Sequence, residues 1–169
     1  DVGGVALGLG DGAAVREAAR RILDTVAAHA ARARLDGLLV QRQAKGELEL
    51  ALGVKRDPVF GPVVMVAAGG VLVETLRDFR LLVPPIDAEA AEEALRALRI
   101  AALWDGVRGR PPLDLAAAAE LLMRLGEAAR ALAAAGVTEM DLNPVAVGER
   151  GTGISILDAL LRVELDAQR

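Results

Sequence analysis

The sequence predicts an α+β fold, a mainly antiparallel sheet flanked by helices. Two observations carry that prediction. Residues 47–54 alternate, with Leu48, Leu50, Leu52 and Val54 on one face and Glu47, Glu49 and Ala51 on the other. That period of two marks a half-buried strand. Elsewhere, between residues 13 and 30 and again between 114 and 135, apolar residues recur at helical spacing.

Taken in order, residues 2–9 are apolar but broken by Gly and read as a strand with bulges. Gly10-Asp11-Gly12 turns the chain into a helix with Val15, Ala18, Ala19, Ile22, Leu23 and Val26 on its inner side. His29 near its end reads as a surface residue favoured by the helix dipole. Residues 38–41 read as a short buried strand. After the alternating strand, residues 55–58 turn the chain into a second strand at 60–67. Gly69-Gly70 leads into residues 71–76, and a further strand follows at 79–83. Pro84-Pro85 ends this meander. Asp87 is an N-cap, with Glu89, Glu92 and Glu93 in the first turns of a helix running to about Arg99. Residues 105–112 form a loop whose Arg108 and Arg110 either hold phosphate or solvate it. Asp114 caps a long helix with Ala118, Leu121, Leu122, Leu125, Ala128, Ala129 and Leu132 as its buried stripe. A hairpin closes the chain, and residues 160–165 add a last strand or a helical tail.

Composition narrows the function. Hydrophobic residues make up 53% of 169 residues and aromatic ones only 2%, so Ala, Val, Leu and Ile build one core. The net charge is -4 and no basic block is present, which speaks against nucleic acid as a partner. With no Cys, disulfides and thiolate metal sites are excluded. No apolar run reaches the ~20 residues a membrane helix needs. A cytoplasmic setting is compatible with this composition.

The chemistry concentrates in the hairpin at residues 139–158. Asp141 and Asn143 are two apart and so share a strand face. A tight turn centred on Glu149-Arg150 puts Asp158 opposite Asp141. A turn two residues longer puts it opposite Asn143. A single bulge breaks the arrangement, because a one-residue slip reverses the faces. Carboxylates held close call for a neutralising cation, and Mg2+ takes one or two of them plus substrate phosphates. The same spacing also fits an Asp and an Asn at strand ends beside a solvated Asp.

Several stretches together resemble one family. They are Asp1-Val2-Gly3-Gly4-Val5, Val40-Gln41, Glu49 to Val54, Arg56 to Pro62, Gly69 to Glu74, Asp105 to Pro112 and Glu139 to Pro144. In order and spacing they are similar to the nucleotide-binding part of the NDP-forming acyl-CoA synthetases, with an ATP-grasp fold. ADP-forming acetyl-CoA synthetase and the ATP-grasp regions fused to some protein acetyltransferases belong there, and succinyl-CoA synthetase beta subunits are more distant relatives. The resemblance implies the C-terminal large part of an ATP-grasp fold, with residues 1–169 as a single partial domain lacking its N-terminal lobe.

By the resemblance, Asp141, Asn143 and Asp158 match metal positions, so Mg2+ and ATP or ADP are the implied cofactors. Glu49 matches a Glu close to the nucleotide. Val40 and Gln41 lie where the strand linking two lobes passes the adenine. Gly69 and Gly70 lie by the phosphates or the phosphohistidine loop, although a Gly pair also serves as a tight turn. Two departures stand out. The family's His-Lys-Ser/Thr element and nucleotide-contacting Lys come before the position of Asp1. Gln41-Arg42-Gln43-Ala44 also replaces a more apolar hinge. The expected partners are that N-terminal lobe and a CoA-binding, CoA-ligase domain or subunit. No catalytic residue falls within this stretch, so inactivity alone is expected. The alternative is a non-catalytic regulatory or interaction module of a fused acetyltransferase. Self-association into a homo-oligomer is a further expectation.

Overall fold

The structure is a computed structural model that describes residues 2–30, 32, 34–44, 46–70 and 77–164. It divides into two compact units, Asp1–Gln43 and Ala44–Arg169.

In the first unit, α1 spans Gly12–His29, within a residue of the predicted bounds. The Asp11 carboxylate accepts from the amides of Ala13 and Ala14 at 2.9 and 2.8 Å, satisfying two N–H groups that have no partner within the helix. Ala18 is buried, Val15, Ala19, Ile22 and Val26 are half-buried, and Leu23 is exposed. His29 Nδ1 lies 2.9 Å from the Thr25 carbonyl oxygen, as suits a helix-end residue. The two expected strands of this unit are not formed. Residues 2–9 and 38–41 lie outside any helix or strand and have no ladder partner among the described residues. Val5, Leu39 and Val40 are well exposed. An apolar run alone does not make a strand, since the ladder needs a second chain segment to pair with.

The second unit carries one six-stranded sheet. Its elements are β1 (Leu48–Asp57), β2 (Gly61–Ala68), β3 (Phe79–Leu82), α2 (Ala88–Arg96), a 3-10 turn (Ala101–Asp105), α3 (Leu115–Ala134), β4 (Val137–Val147), β5 (Ile154–Ile156) and β6 (Leu160–Val163). The order is β3-β2-β1-β4-β5, with β6 also on β4, and every pairing is antiparallel. The predicted α+β class holds. The first turn comes later than expected, because β1 continues to Asp57. There the Asp57 carboxylate accepts from the amides of Val59 and Phe60 at 2.8 and 2.9 Å and closes the turn. The predicted continuation at 71–76 lies outside the described residues. Helix α2 ends at Arg96, three residues early, and residues 160–163 take the strand alternative.

Both described helices of this unit cover one face of the sheet. Leu48, Leu50, Leu52 and Val54 point into a core with Val64, Val66, Leu142 and Val145, closed by Leu95 of α2 and Leu122 and Leu125 of α3. Ala118, Ala119, Gly126 and Ala129 let α3 approach closely, and Ala128 of the predicted stripe is exposed instead. Gly126 packs tightly there, because a Cβ would stand 3.0 Å from Ile86 Cδ1 and the Ile86 side chain would have to shift. The single Trp seals the end. Trp104 is 1% exposed and its indole N–H donates to the Leu95 carbonyl at 3.2 Å.

Candidate functional site

The face of the sheet away from α2 and α3 carries the polar residues. Cross-strand partners share a face. Glu49 stands opposite Ala146, Gly53 opposite Asp141, and Lys55 opposite Glu139. Leu142, between Asp141 and Asn143, is buried in the core, so its two neighbours lie on the opposite face.

A bulge does occur. Leu52 pairs with Leu142 but Leu50 pairs with Val145, so Asn143 and Pro144 together oppose Ala51. It comprises Asn143 and Pro144 themselves, immediately after Leu142. Asp141 and Asn143 therefore keep a common face, and only the strand beyond is rephased, which returns Val145 and Val147 to the core.

The hairpin takes the longer of the two predicted registers. Val145 is opposite Ile156 and Val147 opposite Ile154, while Asp141 is opposite Leu160. Carried across the gap between β5 and β6, this register sets Asp158 level with Asn143. Asp158 is exposed, and its own Oδ1 accepts from the Ala159 amide at 2.8 Å. Burial pushes the Asp141 carboxyl above its ordinary value, and the negative charges of Glu139 and Asp158 push it further. Among the described residues no three His, Cys, Asp or Glu side chains gather around one point. A cation here would rest on two carboxylates and the Asn143 amide oxygen, with water or phosphate completing its shell.

The structure brings Glu49 together with Gly69 and Gly70. The Gly69 amide donates to the Glu49 carbonyl at 2.7 Å. A Cβ on Gly69 would stand 2.6 Å from the Leu50 carbonyl carbon, and one on Gly70 would stand 2.2 Å from Glu49 Oε2. Gly70 also has φ +59. Both positions therefore require Gly, to let this turn lie on β1 against the Glu49 carboxylate. Val40 and Gln41 lie near the end of the first unit, exposed and outside any strand. Arg110 is paired with Glu47 at 3.4 Å across an exposed gap.

Sequence reasoning passed over two contributors. Glu139 adds a third carboxylate to the face and is partnered by Arg162 at 3.5 Å. Its signal was the same period of two that links Asp141 to Asn143. Gly53, opposite Asp141, leaves that face without a side chain, and a lone Gly inside an alternating strand was its signal.

A family model described as ATP-grasp domain matches residues 1–163. An ADP-forming acetate–CoA ligase I of Archaeoglobus fulgidus is 41% identical over 154 residues, covering 91% of this chain and 22% of the relative. The beta subunit of ADP-forming acetate–CoA ligase I of Pyrococcus furiosus is 34% identical, covering 86% of this chain and 62% of that subunit. The chain thus spans less than a quarter of the first of these relatives. Among solved structures, a dinucleotide-forming acetyl-coenzyme A synthetase 1 of Ca. Korarchaeum cryptofilum, in complex with coenzyme A, Ca-AMPCP and HgCl+, superposes with a TM-score of 0.83 at 37% identity. It covers 96% of this chain and 69% of that one. A form of the same protein with coenzyme A and Mg-AMPPCP gives a TM-score of 0.79. The ordered stretches, the antiparallel sheet and these matches agree: the chain belongs to the ATP-grasp domain family.

Proposed function

We propose that this chain is the nucleotide-binding and Mg2+-binding portion of an ADP-forming acyl-CoA synthetase, in which acyl-CoA, ADP and phosphate exchange with acid, CoA and ATP. The observation that carries the reading is the placement of Asp141 and Asn143 on the sheet face away from α2 and α3, with the Asp158 charge reaching Asp141. The donor set fits a hard divalent cation. All three side chains offer oxygen, and a carboxyl raised by its neighbours' negative charge is what such a cation relieves. Bound Mg2+ would neutralise charge on the phosphates and fix their geometry.

The chain's own residues have distinct tasks in this reading. Asp141, Asn143 and Asp158 hold the cation. Gly69 and Gly70 keep the turn low enough for backbone to approach an anion while seating Glu49 beside it. The phosphoryl-accepting His, the remaining lobe and the CoA-binding portion come from the part of the relatives that this chain does not span. A cytoplasmic enzyme is consistent with the finding that, among the described residues, no helix is long and apolar enough to cross a membrane.

The test is ATP formation from acyl-CoA, ADP and phosphate by the longer protein that contains this segment. Asp158→Ala is expected to lower it by at least about 100-fold while leaving the circular dichroism unchanged. Full activity in that variant would sink the metal assignment. An inactive wild-type protein that binds no Mg-ATP would favour a regulatory module instead.

A further inference from the structure

Asp114 attracts notice because its buried carboxylate serves two elements at once. Oδ1 accepts from the Ala117 amide at 3.2 Å and caps α3. Oδ2 accepts from the amides of Gly151 and Gly153 at 2.9 and 2.8 Å. Those two residues belong to the turn that joins β4 to β5. Backbone contacts reinforce the junction: Asp114 N–H donates to the Gly148 carbonyl at 3.0 Å, and Arg150 N–H donates to the Pro112 carbonyl at 2.9 Å. Within the turn, the Thr152 hydroxyl donates to the Glu149 carbonyl at 2.7 Å. Both glycines have positive φ, +83 for Gly151 and +81 for Gly153, the conformation that turns their amides to one acceptor.

We infer that Asp114 is a positioning residue, whose carboxylate selects the longer hairpin register and thereby sets Asp158 level with Asn143. Two registers are compatible with the strand sequences, and they differ in which residue faces Asp158. The shorter one would centre the turn on Glu149-Arg150 and shift Gly151 and Gly153 away from a shared acceptor. Asp114 lies outside the hairpin, so it discriminates between the two. The Gly153 amide, with those of Ala117 and Gly151, holds its carboxyl below the ordinary range against the effect of burial. The carboxylate is therefore charged where the hairpin must hold.

This inference takes the metal role of Asp158 from the proposed function, but the register itself is measurable without metal. Asp114→Ser separates the two tasks, because Ser is a good N-cap yet its single, shorter hydroxyl oxygen cannot also reach the amides of Gly151 and Gly153. In the full chain, amide exchange and cross-strand contacts between Ala146 and Ser155 report the hairpin, and the Ala117 amide reports the cap. Exchange at Gly151 and Gly153 is expected to rise about tenfold with Ala117 still protected. Affinity for Mn2+ alone is expected to fall about tenfold. Asp114→Ala should add loss of Ala117 protection. Exchange at both glycines and Mn2+ affinity within twofold of wild type in Asp114→Ser would overturn the inference. If the wild-type chain binds no Mn2+ that Asp158→Ala removes, the metal reading fails, and the glycine exchange alone decides for or against Asp114.

Discussion

The two faces of β1 and β4 are made from the same residues in alternation, yet they obey different rules. On the helix side, Leu50, Leu52, Leu142 and Val145 are at most 2% exposed and fill a core. On the other side, Glu49, Gly53, Asp141 and Asn143 leave a polar surface on which burial is a cost rather than a gain. Asp141 feels that cost directly through its raised carboxyl. One side is selected for packing and the other for charge, and the difference lets stability and function be separated by mutation.

The largest effect should come from the packed side. Trp104→Ala removes a fully buried indole and its bond to Leu95, and is expected to cost about 3–5 kcal/mol in denaturant unfolding. A loss under about 1 kcal/mol would mean the 3-10 segment is not part of the cooperative core. Next comes Gly69→Ala, where the added methyl meets backbone rather than a movable side chain. A destabilisation of about 1–3 kcal/mol is expected, with Glu49 displaced.

Acid titration is the third test. Asp114 has a depressed carboxyl, so its contribution is present above the ordinary carboxylate pKa and is lost as pH falls through the lower folded value. Wild type should therefore lose more stability than Asp114→Ser as pH falls below about 4. Parallel curves would show that the carboxylate is not held by the hairpin amides. The smallest effect, opposite in sign, belongs to Asp141→Asn. A raised carboxyl means that the charged form is disfavoured in the folded state. Removing the charge at neutral pH is expected to leave the melting temperature unchanged or higher, with Mn2+ affinity reduced. A clear drop in melting temperature would place Asp141 among the structural residues.

Much of the packed side was legible beforehand. The alternation at Leu48, Leu50, Leu52 and Val54 and the caps Asp87 and Asp114 act locally, so period and residue type suffice. The strand expected at residues 38–41 failed because apolar composition says nothing about a pairing partner. In the hairpin the oxygen-bearing residue types were legible, but the register that places them was not. That choice depends on Asp114, which meets Gly151 and Gly153 from 37 and 39 residues away. The bulge was equally hidden, since opposing Ala51 with both Asn143 and Pro144 is a property of two strands together. Gly69 and Gly70 showed a need for backbone freedom, while the Glu49 carboxylate that explains Gly70 appears only in three dimensions.

In the proposed function, the sheet face around Asp141, Asn143 and Asp158 holds a divalent cation. Paramagnetic line broadening by Mn2+ tests it most directly. Substoichiometric Mn2+ should broaden the amides of residues 141–143 and 157–159 first, and Asp158→Ala should abolish that pattern while leaving the spectrum of the core unchanged. Broadening centred elsewhere, or a pattern that survives Asp158→Ala, would contradict the account.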